Sequence, residues 1–328
     1  MITVENLTKY YGPVKAVSDL SFTIEEGQVY GLLGPNGAGK STTMNIMTGC
    51  LSPTSGSIHI NGIDLFEEPE KAKKLIGYLP EQPPLYMNET PLEYLRFVGQ
   101  AKGLKGAELS GQIRDVIAQT GLEHMKNRLI SQLSKGYRQR VGIAQALLGN
   151  PAIVILDEPT VGLDPIQIVE IRTLIRDLGK THTVIISSHI LSEMQAVCDK
   201  VLIISNGTLA AFDTPNHLES ILSGSDEITI RTLASEEQAD ALLSSMQDVD
   251  SFECTKEEDS LLLRIRTSAE DLRQFSCSLF FAFAKEQLPV FELTAHKGSL
   301  EDVFMELTEQ TGTAGDETAD SGESEEIN

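Results

Sequence analysis

The sequence VYGLLGPNGAGKST, residues 29–42, joins an apolar strand to a glycine-rich turn of the pattern GxxxxGK[ST] and then to a helical pattern. A turn in this context binds phosphate groups. Its glycines let successive backbone N–H groups surround a phosphate at the positive end of the helix. Lys40 is predicted to reach the β- and γ-phosphates, and Ser41 to offer its hydroxyl to Mg²⁺. The predicted phosphate-binding residues are Gly34, Asn36, Gly37, Gly39, Lys40, Ser41 and Thr42.

A second apolar strand, AIVIL at residues 152–156, ends in two adjacent carboxylates. A single carboxylate at a strand end is often only the cap of the next helix. Two in succession, in a chain that also has a phosphate-binding loop, indicate catalysis. Asp157 can hold the Mg²⁺ shell, and Glu158 can polarise the attacking water as general base.

The sequence LSKGYRQR, residues 133–140, predicts a helix that is capped by Ser134, with Gly136 beside the cap. The exposed N–H groups of a capped helix start can bind an anion. Lys135 opposes the helix dipole there, which makes more sense if an anion docks on it. An ordinary capped helix accounts for the same residues, and the motif taken alone favours that interpretation.

The strand TVIIS (183–187) is also apolar and leads to a histidine, His189. A lone histidine is usually structural. This one follows a strand end, as the phosphate-binding loop and the carboxylate pair do. In an open parallel sheet the carboxyl ends of the strands share one crevice. The pattern therefore predicts that His189 lies near the γ-phosphate.

Strands and helices alternate along most of the chain, which predicts an α/β fold with a parallel sheet covered on both faces. An ATPase domain is expected over 1–222, with a helical subdomain at about 85–150. After Asp213 the order becomes βαββαβ plus a helix, which predicts a small α+β domain over 226–310 and suits a ferredoxin-like module. Residues 311–328 are acidic and lack bases and aromatics, so a disordered tail is expected.

Together these motifs resemble those of the ATP-binding subunits of ABC transporters, over roughly residues 1–220. Their order and rough spacing are those of that family. The resemblance implies a P-loop NTPase fold of the ABC type and ATP hydrolysis with Mg²⁺. The matching segments are Walker A (34–42), the signature (133–137), Walker B (153–158), the D-loop VGLD (161–164) and the H-loop (His189).

The same resemblance implies further roles. Tyr11 resembles the aromatic residue that stacks on adenine, and Asp164 the D-loop residue that communicates between subunits. His189 resembles the switch that senses the γ-phosphate. Ser134 and Gly136 resemble signature residues that contact ATP bound to the opposite subunit. The expected partner is therefore a second ATPase subunit, most simply in a homodimer.

Two segments depart from the usual family pattern. The signature LSGGQ is LSKGY here. The Q-loop glutamine normally follows directly after a strand like IGYLP, but here Glu81 occupies that place and Gln82 comes next. Either could reach the metal or the water. Gln82 is expected to be the ligand, because an amide can both accept and donate. The expected metal ligands are Ser41, Asp157 and Gln82, and the expected catalytic residues are Glu158, His189, Gln82 and Glu81.

These departures, with the C-terminal segment HKGSLEDVFMELT, resemble the drug-export and gliding-motility subfamily. That resemblance implies a separate six-helix integral membrane permease as partner. The N-terminus lacks the apolar core of a signal peptide, and no run approaches the ~18 apolar residues of a membrane helix. The expected location is therefore cytoplasmic, peripheral on the inner face of the membrane through the permease.

The overall charge bears on the choice between partners. The formal net charge is −22 and the pI about 4.6, so an acidic surface argues against a general nucleic-acid binder. A soluble ABC ATPase acting on ribosomes or DNA is the alternative, but such proteins tend to carry two cassettes or long coiled coils. A P-loop kinase or GTPase is a third class of protein, and the presence of the signature and of His189 argues against it.

Overall fold

The computed structural model describes residues 1–222, 226–246, 248–257, 260–267, 269 and 271–296. They form two compact units, Met1–Pro215 and a second that begins at Asn216. The predicted domain boundary, between 222 and 226, lies a few residues further along the chain. The predicted last helix SLEDVFMEL and the acidic tail at 311–328 lie outside the described residues.

The central sheet of the first unit has six strands in the order β10-β9-β3-β8-β7-β6. All neighbours pair in parallel except the hairpin β9–β10. Strands β3, β7 and β8 are buried along their whole length, which explains their continuous apolar sequences. The strands are β3 (Val29–Leu33), β6 (Ile76–Leu79), β7 (Ile153–Leu156), β8 (Thr183–Ser188), β9 (Lys200–Ser205) and β10 (Thr208–Asp213).

A second, antiparallel sheet in this unit has the order β2-β1-β4-β5. Its inward residues share one hydrophobic core with the first helix and with the central sheet; Leu20, Ile58, Met44 and Ile185 all belong to it. The strands are β1 (Ile2–Tyr11), β2 (Val14–Ile24), β4 (Ser55–Ile60) and β5 (Ile63–Asp64).

The region predicted to be helical contains helices α3, α4 and α5. Thr90 and Glu93 form a capping box at the start of α3, with Pro91 in its first turn. Ser134 caps α5, as predicted, by accepting a hydrogen bond from the N–H of Tyr137. The helices of the first unit are α1 (Lys40–Met47), α2 (Pro69–Lys74), α3 (Pro91–Ala101), α4 (Gly106–Gln119), α5 (Lys135–Leu147), α6 (Pro165–Gly179) and α7 (Leu191–Val197).

Helix α8 (Pro215–Leu222) leads into the second unit. This unit contains a four-stranded antiparallel sheet in the order β12-β13-β11-β14. Phe275, Leu279 and Phe283 lie on one face of α10 and pack in the core of this unit. The element order is βαββαβ, which supports the ferredoxin-like assignment. The elements are β11 (Asp226–Thr232), α9 (Glu236–Leu243), β12 (Ser251–Lys256), β13 (Leu261–Thr267), α10 (Leu272–Lys285) and β14 (Val290–His296).

Candidate nucleotide site

Four neighbouring strands of the central sheet end at one edge, and the predicted site residues follow them. The phosphate-binding loop follows β3, Asp157 and Glu158 follow β7, His189 follows β8, and Glu81 comes shortly after β6. The phosphate-binding loop, Glu81, Glu158 and His189 line a pocket of about 350 Å³, and Asp157 is not among its lining residues. The residues that line it are Ala16, Asn36, Gly37, Gly39, Lys40, Ser41, Thr42, Glu81, Glu158, Val161 and His189.

The backbone of the phosphate-binding loop requires glycine at two positions. Gly39 has φ 102°, and a Cβ there would lie 2.5 Å from the carbonyl oxygen of Ala16. A Cβ on Gly34 would lie 2.3 Å from the carbonyl oxygen of Ile204. A larger residue at either position would therefore displace backbone of a neighbouring segment.

Lys40 lies at the base of this loop and is only 6% exposed. Its ammonium donates to the carbonyl oxygens of Gly34 at 2.8 Å and Pro35 at 3.2 Å. Burial lowers the pKa of Lys40, and the nearby carboxylates of Glu158 and Asp157 oppose that shift. The loop thus holds a buried cation where the backbone N–H groups can receive an anion.

Asp157 is a buried carboxylate at the end of β7. Its Oδ1 accepts a hydrogen bond from the hydroxyl of Ser187 at 2.6 Å. Burial raises the pKa of Asp157, and Glu81 raises it too, while Ser187 and Lys40 oppose the shift. Asp157 therefore feels one carboxylate of like charge, Glu81, and one ammonium of opposite charge, Lys40.

Glu158 has a strained backbone, with φ 46°. A non-glycine residue in the left-handed region persists only where its surroundings hold it, and such residues cluster at functional sites. Its N–H donates to the Ser187 hydroxyl at 2.8 Å. Nδ1 of His189 lies 3.2 Å from both carboxylate oxygens of Glu158. The structure thus brings the predicted base and the predicted switch into direct contact.

Ser187 was not among the residues predicted from the sequence. It is fully buried, and its hydroxyl contacts both the Asp157 side chain and the Glu158 backbone. The sequence TVIISS contained an indication of this role, because two serines end a strand whose other residues suit full burial. A buried polar side chain normally has a hydrogen-bond partner.

The two candidate Q-loop residues, Glu81 and Gln82, differ in their position relative to the pocket. Glu81 lines the pocket, and Gln82, which the structure also describes, is not among the lining residues. The negative charge of Glu81 raises the pKa of Asp157. Because Glu81 lines the pocket beside Lys40 and Ser41, it is the alternative to the expected Gln82 as a metal ligand.

The remaining predicted residues lie outside this pocket. Tyr11 ends β1 with its ring 49% exposed and the Lys9 ammonium 5.5 Å from the ring centroid. Asp164 caps α6 by accepting from the N–H of Gln167 at 2.9 Å. A Cβ on Gly136 would lie 2.5 Å from Oε1 of Gln167. The start of α5 therefore contacts the start of α6, and neither Ser134 nor Gly136 is among the residues that line the pocket.

Comparison with known proteins identifies the family of this chain. A family model described as "ABC transporter" matches residues 17–161. The chain is 35% identical over 309 residues to the bacitracin transport ATP-binding protein BcrA of Bacillus licheniformis, covering 94% of this chain and 97% of that one. This chain belongs to the ABC transporter family. It is also 34% identical to the linearmycin resistance ATP-binding protein LnrL of Bacillus subtilis (strain 168), over 95% of this chain and 99% of LnrL.

A solved structure extends the comparison to the reaction. The ATP-binding cassette MJ0796, as a dimer in a post-hydrolysis state with ADP and Pi, has a TM-score of 0.59 and 28% identity to this chain. The match covers 65% of this chain and 98% of the solved one. This chain is an ATP-binding ATPase subunit of the transport type, as the sequence predicts. Cassettes of this family dimerise and work with transporter permeases.

Replacing Ser187 with alanine is expected to reduce ATP turnover by roughly 10- to 100-fold. The variant loses a hydrogen bond to a charged group, and such bonds contribute about 1.5–3 kcal/mol. It also leaves the Glu158 N–H without its acceptor. Steady-state ATPase assays at saturating ATP measure the effect. Ser110→Ala, an exposed serine on α4, is the matched control, and equal turnover in the two variants would remove Ser187 from the site.

Glu81→Ala is expected to raise the Mg²⁺ concentration needed for half-maximal ATPase activity more than Gln82→Ala does. The reason is that Glu81, unlike Gln82, is among the residues that line the pocket, and carboxylate oxygens suit Mg²⁺. Magnesium titrations of the two variants at saturating ATP give the comparison. A larger effect of Gln82→Ala would restore the assignment expected from the sequence.

Proposed function

We propose that two copies of this chain bind Mg²⁺–ATP between them and drive a separate membrane permease that exports a drug-like compound. The observation that supports this most is the geometry of the pocket. Lys40, Ser41, Glu158 and His189 meet in one pocket, whereas Ser134 and Gly136 do not line it. A site with one set of phosphate donors on each subunit fits this separation.

Glu158 is the proposed general base. Its carboxylate takes a proton from a water molecule while the water oxygen attacks the γ-phosphorus, and the bond from that phosphorus to the β–γ bridging oxygen breaks. His189, 3.2 Å from the carboxylate, orients Glu158 and senses the γ-phosphoryl group. Lys40 and the loop N–H groups offset the charge on the phosphoryl oxygens.

The donor set fits Mg²⁺. Ser41, Asp157 and Glu81 supply hydroxyl and carboxylate oxygens, the ligands that Mg²⁺ prefers. Within the described residues no group of three His, Cys, Asp or Glu side chains forms a complete metal cage. Mg²⁺ is normally held by one or two carboxylates together with substrate phosphates. When bound there, the ion would offset the negative charge of the phosphate oxygens.

The permease is proposed from the relatives and from the sequence resemblance. The named relatives are transport and resistance ATP-binding proteins. Among the described residues no helix is long and apolar enough to cross a lipid bilayer. We therefore place the chain on the cytoplasmic face of the membrane, bound to an integral membrane subunit. Tyr11 keeps its proposed role as the adenine-stacking residue.

Purification of the tagged chain from detergent-solubilised native membranes tests this proposal. An integral membrane protein should copurify with it, and the complex should hydrolyse ATP. Glu158→Gln should remove the turnover of the complex without separating its subunits, because Glu158 is in the nucleotide pocket. Recovery of an active ATPase only from the soluble fraction would favour the alternative, a non-transport ABC ATPase.

A further inference from the structure

Glu193, on α7, has a buried carboxylate that the hydrolytic site described above does not use. The residue is 5% exposed. Its Oε2 accepts a hydrogen bond from the Thr160 hydroxyl at 2.6 Å and from the Ser188 hydroxyl at 3.1 Å. Both hydroxyls belong to buried residues. Burying a carboxylate costs free energy unless it is hydrogen-bonded, and two buried hydroxyls meet that need here.

The partners of Glu193 adjoin the two residues that meet at the γ-phosphate position. Thr160 comes two residues after Glu158. Ser188 directly precedes His189, and its hydroxyl also accepts from the N–H of Ile190 at 3.0 Å. The Ser188 side chain thus connects the backbone before His189 to the backbone after it. The Glu193 carboxylate in turn accepts a hydrogen bond from the Ser188 hydroxyl.

A third segment reaches the same carboxylate. The guanidinium of Arg172 on α6 lies 3.6 Å from Oε1 of Glu193. Asp164 caps the start of that helix. Glu193 therefore joins three segments, namely the His189 turn, the segment from Glu158 to Asp164, and α6.

We propose that Glu193 is a positioning residue that ties the His189 turn to the segment between Glu158 and the D-loop, so that these segments respond to the γ-phosphate together. This rests on the proposed roles of Glu158 and His189. Glu193 does not touch the nucleotide pocket. It acts by fixing where His189 stands relative to the Glu158 carboxylate.

Glu193→Ala in the full chain tests the proposal first by its kinetics. We expect kcat to fall roughly 10- to 100-fold, the range for a small misplacement of catalytic groups, with KM for ATP unchanged. Glu193→Gln should recover part of the loss, because an amide oxygen in the place of Oε2 can still accept from both hydroxyls. Asp177→Ala is the control, since this exposed carboxylate on α6 forms only a surface ion pair with Lys180. A wild-type kcat for Glu193→Ala would overturn the proposal.

A double-mutant cycle with His189→Ala separates positioning from a merely structural role. If Glu193 acts through His189, adding Glu193→Ala to His189→Ala should lower kcat little further. Losses that multiply would overturn the proposal. Near-normal kcat in His189→Ala alone would instead refute the proposed role of His189, and with it this inference. If Glu193→Ala does not fold, Thr160→Val removes one partner hydroxyl at nearly constant volume and should reduce kcat by the same mechanism.

Discussion

Replacing Glu158 with glutamine is expected to leave ATP binding intact and to reduce turnover by roughly 10²–10⁴-fold, the range for loss of a general base. The amide cannot take a proton from water at neutral pH. Its shape and its contact with His189 can persist, since the Glu158 backbone is fixed by the Ser187 hydroxyl at 2.8 Å. Single-turnover ATPase assays, with nucleotide binding measured separately, give the two quantities.

Two further variants make this experiment decisive. Glu25→Gln changes an exposed carboxylate that lies 3.6 Å from Lys200 and should keep normal turnover. Glu81→Gln changes the other carboxylate that lines the pocket. If Glu158→Gln keeps near-normal turnover while Glu81→Gln loses it, Glu81 is the base and the proposed mechanism is wrong.

The strands that carry the site could be predicted because they are buried on both faces. Their continuous apolar sequences and the polar residue at each end were sufficient to predict that Lys40, Glu158 and His189 would meet. The side-chain partners could not be predicted in this way. Strand register pairs Leu156 with Ile186, which places Ser187 beside Asp157, and register is not visible in either strand alone.

The choice between Glu81 and Gln82 shows a similar limit. Strand β6 ends at Leu79, and the direction of each later side chain depends on the turn that follows. A shift of one residue in that turn exchanges which side chain faces the pocket. The buried network of Glu193 was also hidden, because its partners lie 33 and 5 residues away along the chain. Local patterns predict where elements begin and end better than they predict such contacts.

Ser134→Arg, added to Glu158→Gln, is expected to abolish ATP-dependent dimerisation while the monomer still binds ATP. Glu158→Gln alone should accumulate as a dimer with ATP, because hydrolysis no longer reopens it. The P-loop side of the site supplies Lys40 and Ser41, but charge also develops on the side of the γ-phosphoryl group that faces away from the loop. Size-exclusion chromatography with light scattering, in ATP and in ADP, measures the dimer.

The structure supports a second subunit as the source of those missing donors. Ser134 caps a 13-residue helix, so the first N–H groups of α5 are oriented for an anion. Gly136 lies against Gln167 of α6, and neither Ser134 nor Gly136 lines the pocket of their own chain. A head-to-tail copy would bring this helix start to the open side of the bound phosphates. An arginine at position 134 would place a bulky side chain in that contact.

Loss of a helix cap by itself must be separated from loss of the interface. Removing a serine cap typically destabilises a helix by about 1 kcal/mol. Ser235→Arg, in the same Glu158→Gln background, removes the comparable cap of α9, where Ser235 accepts from the N–H of Gln238 at 3.3 Å. This control should still dimerise with ATP. Because Ser134 and Ser235 have the same capping role, only the shared-site model predicts different results for them. A Ser134→Arg, Glu158→Gln protein that still dimerises with ATP would show that α5 does not complete the partner's site.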